Sequence, residues 1–187
     1  MTSPVTLSGY QVTLRDVARD DLEMVRNWRN DPATREFMLS QEIITPEQQQ
    51  AWFDRLQSDP CQRHWLILYR DRPIGVAYIK TINEGETLEQ PTLVEPGLYI
   101  ADLDYRGNIL AFAPTLLMND YCFDGLRAHQ LQATVMAGNE AALRYNEKLG
   151  YREVERNQDL VRIALDPEDY RVSSAPIKAF LSRPGRR

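Results

Sequence analysis

A chain of 187 residues is one domain by length, and it is long enough to bury a full core. A formal charge of -5 and an isoelectric point near 5.1 exclude a general binder of nucleic acid or acidic membrane surfaces, which the field of the whole molecule repels. Two cysteines, Cys61 and Cys122, with two histidines, His64 and His129, are too few and too scattered for a disulfide framework or a zinc site, so no metal is expected.

In chain order, the opening residues MTSPVTLSGYQV carry neither a basic start nor an apolar run, and no later window approaches the roughly 20 apolar residues that span a bilayer. The expected location is the cytoplasm. Residues 10–14 alternate Tyr, Val and Leu with Gln and Thr, the period of a half-buried strand. Asp20 or Asp21 caps a helix with Leu22, Val25 and Trp28 on one stripe, and Asn30-Asp31-Pro32 stops it, because the residue before a proline leaves the helical region. Thr45-Pro46-Glu47-Gln48 opens another helix, with Thr as cap, Pro at the first helical position and Gln at capping-box spacing. That helix carries Trp52, Phe53 and Leu56 and ends near Asp59-Pro60.

Residues 64–69 and 74–82 are apolar, β-rich runs split by the turn signal Arg70-Asp71-Arg72-Pro73, which predicts an antiparallel hairpin. Gly75 in its second strand marks a close backbone approach, and Tyr78 and Lys80 share one face, either toward a ligand pocket or toward solvent. A polar loop over 83–92 precedes a strand over 95–100. There Pro96 cannot donate to a ladder and Gly97 permits a bulge, so strand pairing is expected to fail.

The polar turn 104–107 leads to Asn108, which caps a helix from Ile109 and so aims backbone N–H groups and a positive dipole end at an anion such as phosphate. Pro114 bends that helix. Residues 131–135 read as a short buried strand, Asn139 opens a second helix, and Gly150 closes it. Two further strands, 151–154 and 160–165, flank the turn 156–159. Within 166–187, Ile177, Phe180 and Leu181 dock one short helix, and Arg183, Arg186 and Arg187 form a solvated tail.

Arg106 and Ala111 with this turn, Asn139 some thirty residues on, and Glu147-Lys148-Leu149-Gly150-Tyr151 at a helix end resemble the signature of the GNAT acyltransferase superfamily. Trp28-Arg29-Asn30-Asp31-Pro32 and the Glu95-x-Gly97-Leu98-Tyr99 phrase are similar to GNAT enzymes acting on amino-sugar nucleotides, typified by pseudaminic acid biosynthesis, and to ribosomal-protein N-terminal acetyltransferases. The resemblance covers roughly residues 10–166. It implies an α+β fold: one domain over 1–166, a twisted, mostly antiparallel sheet with a splayed central strand pair, and helices on both faces. Residues 167–187 are then an extension. It also implies acetyl-CoA as cofactor, a small-molecule amine acceptor such as a nucleotide-linked sugar, and a monomer or homodimer. Leu98, Tyr99 and Ile100 would serve the pantetheine arm, and Arg106, Gly107, Asn108, Ile109, Leu110 and Ala111 the pyrophosphate, with Asn139 and Asn146 nearby. Trp28, Arg29, Asn30, Arg35, Tyr78 and Lys80 would border the acceptor. Glu95 is the candidate base and Tyr145 the candidate acid.

Two departures from the signature bear on function. Ile109 stands where a glycine lets the backbone approach the pyrophosphate, which leaves open a GNAT-fold sensor or binding module. Asn146 stands where many relatives carry the acid Tyr, and Tyr145 lies one place earlier, about 100 degrees round the helix. Protonation of the thiolate by solvent is then the alternative. A protein N-terminus is the alternative acceptor.

Overall fold

The computed structural model describes residues 4–183. Arg186 and Arg187, read from sequence as part of a tail, lie outside them. Among the described residues, eight strands form one sheet in the order β1-β2-β3-β4-β5-β6-β8-β7. They are β1 Thr6–Gly9, β2 Val12–Asp16, β3 Gln62–Tyr69, β4 Arg72–Thr81, β5 Leu93–Ile100, β6 Gln130–Met136, β7 Arg152–Arg156 and β8 Leu160–Leu165. Every neighbouring pair is antiparallel except β5 and β6, which run parallel. The helices are α1 Leu22–Asn30, α2 Pro32–Arg35, α3 Pro46–Leu56, α4 Phe112–Asp120, α5 Glu140–Lys148 and α6 Pro167–Leu181.

The two faces of the sheet carry different cores. On one, Leu66 and Val76 pack with Val25 of α1, Trp28 and Tyr99. On the other, Trp65, Ile67, Ala77 and Ile79 pack with Ala113, Leu116 and Leu117 of α4. Helix α4 is buried from Phe112 to Asn119, as expected of a helix that is apolar all round. The capping box on α3 forms as the sequence predicts, with Thr45 Oγ1 accepting from Gln48 N–H and Gln48 Oε1 from Thr45 N–H.

Three expectations are corrected. The strand expected over 10–14 forms from Val12 onward as β2, while its first two residues are the turn of a β1–β2 hairpin, with Tyr10 at φ 50 and Gln11 at φ 73. Neither residue is a glycine, so the usual hairpin signal was absent. The strand expected to be buried at 131–135 is half-buried except for Leu131, because one of its edges looks into an open cleft. The short C-terminal helix is a helix of 15 residues that buries Tyr170, Ser174 and Leu181, while Phe180 is exposed. Its anchor is Asp120, whose carboxylate accepts from Tyr10 Oη at 2.6 Å, Tyr170 Oη at 2.7 Å and Lys178 Nζ at 2.6 Å. No described helix is long and apolar enough to cross a membrane, and no group of three or more His, Cys, Asp or Glu among the described residues is arranged to hold a metal.

Candidate active site

The site begins with a gap in the sheet. β5 pairs with β6 only at Leu93 and Val94, so from Glu95 to Ile100 it has a strand partner on one side alone. The gap does not come from a bulge at Pro96 and Gly97, as expected: the β4–β5 register runs unbroken from Thr81↔Val94 to Gly75↔Ile100. Its ends explain why. Ile82 N donates to Leu93 O and Ala101 N to Ile74 O, so in the alternating antiparallel ladder residues 95, 97 and 99 bond to β4. The nitrogen of Pro96 and the N–H groups of Leu98 and Ile100 therefore point into the gap. Proline forfeits no ladder bond there, and two amides are left to serve a ligand. Gly75 fulfils its expected role, since a Cβ on it would lie 2.2 Å from Tyr99 O.

A cleft of about 970 Å³ runs through this gap. Its α4–α5 wall includes Gly107, Ala111, Thr115, Asn139, Tyr145 and Asn146. Asn108 caps a 3-10 turn at Ile109–Ala111 that leads into α4, with its Oδ1 on Leu110 N–H and its carbonyl on Ala111 N–H. Gly107 has φ +77 with open space where a Cβ would be, so a diphosphate can approach that backbone. Ile109 is 42% exposed and is not part of the cleft wall. Asn108 and the buried Leu110 also lie behind the wall. Asn139 caps α5 by accepting from Ala142 N–H at 3.1 Å. Asn146 spends its amide N–H on Ala142 O at 2.9 Å.

Arg106 reaches the cleft, but its donors are already engaged. Nε and Nη2 donate to Ile100 O at 3.1 and 2.8 Å, Nη1 donates to Ala33 O at 2.8 Å, and Nη2 also meets Thr34 Oγ1 at 3.3 Å. It joins the 101–108 loop to the end of β5 and to α2. Tyr145 is also engaged: its hydroxyl donates to Ala111 O at 2.9 Å and is hydrogen-bonded to Thr115 Oγ1, with its ring stacked on Phe112. Burial pushes its ionisation far above the ordinary phenol range.

The opposite wall is the α1–α3 face of β3, β4 and β5. Register places His64, Tyr78 and Gly97 in one row and Lys80 opposite Glu95 in the next. Lys80 Nζ meets Glu95 Oε1 at 3.0 Å. Of the two sequence readings for Tyr78 and Lys80, the cleft-facing one holds. His64 stacks on Tyr78 at 5.2 Å, meets Trp52 edge-on at 5.0 Å, and bonds through Nε2 to Gln62 Oε1. Burial, with a smaller contribution from Lys80, pushes its pKa down to about 4, so it is neutral at neutral pH. His64 and Trp52 carry no functional signal in the sequence, because lone aromatics on apolar runs read as core.

Arg29, also in the cleft wall, is only partly satisfied. Its Nη2 donates to Ser40 O at 2.5 Å, while its buried Nη1 has no hydrogen-bond partner among the described residues. Burial pulls its pKa down, against the nearby phenols of Tyr99 and Tyr78. Trp28, Asn30 and Arg35, also expected to border the acceptor, do not line the cleft. Trp28 packs with Val25 and Leu66. Asn30 clamps the Ile44 backbone, donating to Ile44 O at 2.8 Å and accepting from Ile44 N at 2.8 Å. Arg35 lies on α2, away from the cleft wall.

Comparison with known proteins agrees with this geometry. Residues 11–152 match the family model of the acetyltransferase (GNAT) domain. The acetyltransferase PseH of Campylobacter jejuni subsp. jejuni serotype O:23/36 (strain 81-176) is 25% identical over 152 residues, which is 80% of this chain and 88% of that one. Among solved structures, apo FdhC, described as a nucleotide-linked sugar GNAT, superposes with a TM-score of 0.77 at 18% identity, covering 96% of this chain and 99% of its own. Spermidine N-acetyltransferase from Vibrio cholerae, in complex with CoA and spermine, gives 0.73 at 22% identity, covering 87% and 99%.

Proposed function

The chain belongs to the GNAT acetyltransferase family, and we propose that this N-acetyltransferase acetylates the primary amine of a nucleotide-linked amino sugar. Acetyl-CoA supplies an activated acyl carbon with a thiolate leaving group. The observation that carries the choice of acceptor is Arg29, a guanidinium with a buried, unpartnered Nη1 in the cleft wall. Such a group is costly to keep unless a ligand anion completes it. A polyamine brings only positive charge, and Glu95 already has Lys80 as its counter-ion. A sugar carried on a diphosphate brings the missing anion. The nucleotide-linked sugar GNAT supports the same acceptor class, and PseH supports acetyl transfer.

The chain's own groups then divide the work. The Leu98 N–H, pointing into the gap, is placed to polarise the acyl carbonyl. The turn from Gly107 to Ala111 receives the pyrophosphate. Glu95 takes a proton from the acceptor amine, directly or through water, a task worth on the order of one decade for an amine with pKa near ~8.

The test is a panel of amines at equal concentration. A nucleoside-diphosphate amino sugar is expected to exceed spermine in kcat/KM by about a hundred-fold, the scale of completing or leaving bare a buried charge. A preference for spermine contradicts this acceptor. In the same assay Glu95→Gln loses about ten-fold at low pH, where the acceptor is mostly ammonium, and less at high pH. A constant ratio to the parent across pH removes Glu95 from that role.

A further inference from the structure

Tyr145 is poorly placed to assist the departing sulfur, because its proton is directed at Ala111 O. A second phenol has neither commitment. The ring of Tyr78 lies across β5 at Gly97, so closely that a Cβ on that glycine would stand 2.3 Å from Tyr78 Cζ and 2.4 Å from its hydroxyl oxygen. Gly97 is the third residue beyond the last β5–β6 pair, next to the Leu98 amide that faces the gap. The ring is held from behind by His64, and its hydroxyl makes no hydrogen bond among the described residues.

We propose that Tyr78 is a catalytic residue, its hydroxyl donating a hydrogen bond to the coenzyme sulfur as the carbon–sulfur bond breaks. The amine nitrogen forms its bond to the acyl carbon and gives up one proton to Glu95 or water. The C–S electron pair goes to sulfur, whose negative charge the Tyr78 O–H meets, and the thiolate is later protonated by solvent. The charged groups facing this phenol are Arg29 of α1, Lys80 of β4 and Glu95 of β5, with neutral His64 of β3 behind it. Burial, and after it the Glu95 charge, push its pKa up to about 12 against the pull of Arg29. That is well above the ~8.5 of an ordinary thiol, so the phenol keeps its proton and acts as a donor. Gly97 is then the residue that lets the ring reach the gap. This inference rests on acetyl transfer at the β5–β6 gap and is independent of which amine is the acceptor.

The experiment uses Tyr78→Phe, which keeps the ring and removes the hydroxyl, with a nucleoside-diphosphate amino sugar or, if the parent prefers it, spermine. The expected result is a loss in kcat of about a hundred-fold with KM for acetyl-CoA nearly unchanged. The loss is the same from pH 6 to 9, because the phenol stays protonated throughout. A readout without turnover is CoA binding by calorimetry. The parent is expected to bind CoA about ten-fold more tightly above the thiol pKa than below it, because the hydrogen bond favours the thiolate, and Tyr78→Phe loses that gain. Gly97→Ala reproduces the Tyr78→Phe loss, and the double variant loses little more. Retained kcat in Tyr78→Phe, or a CoA affinity that rises with pH as in the parent, overturns the role. A parent that binds no acetyl-CoA refutes the acetyl-transfer reading instead, so the two failures are distinguishable.

Discussion

Arg106→Ala is expected to lower stability by about 2–3 kcal/mol and to weaken acetyl-CoA binding at least about ten-fold, although the side chain need not touch the coenzyme. Its guanidinium bonds to Ile100 O at the end of β5, Ala33 O and Thr34 Oγ1 of α2, all from one side chain in the 101–108 loop. Removing it strips a charged donor from two main-chain carbonyls and frees the loop that shapes the turn from Gly107 to Ala111. Lysine is a poor replacement, because one ammonium cannot reproduce the planar fork that reaches two segments together. For a domain of this size the melting temperature should fall by roughly 5–8 °C. A variant that melts lower but binds acetyl-CoA like the parent would restrict Arg106 to structure.

Arg29→Met is the second large effect, and it separates function from stability. The parent buries Arg29 Nη1 without a partner, and methionine keeps the bulk without the charge. The free protein should therefore melt no lower than the parent. KM for a diphosphate-bearing acceptor should rise about a hundred-fold, with acetyl-CoA affinity unchanged. A lower melting temperature with an unaltered acceptor KM would make Arg29 a structural clamp on Ser40, to whose carbonyl its Nη2 donates.

The parts of this molecule set by local chemistry were legible in the sequence. Thr45 and Gln48 announce the start of α3, Asn139 and Gly150 bracket α5, and both form as read. The gap was foreseen at the right strand for an incomplete reason. Pro96 was expected to break pairing, yet a ladder alternates, and proline at a position facing away from β4 breaks nothing on that side. Which edge a strand leaves open depends on its neighbours' register, which no short window contains. The acceptor motif divided for a similar reason. Along α1, helical rotation brings Arg29 to the cleft, while Trp28 goes to the core and Asn30 to Ile44, and Arg35 sits on the separate α2. Ile109 is exposed and lies outside the cleft wall, a placement set by the tertiary course of the 101–108 loop that no short window contains.

If the opening between β5 and β6 receives acetyl-CoA, a melting curve recorded with and without it must shift. At about a hundred times its dissociation constant, a ligand selective for the native state adds about 2.7 kcal/mol. That corresponds to a rise in melting temperature of roughly 5–10 °C here. A curve that stays in place at saturating acetyl-CoA would contradict the account.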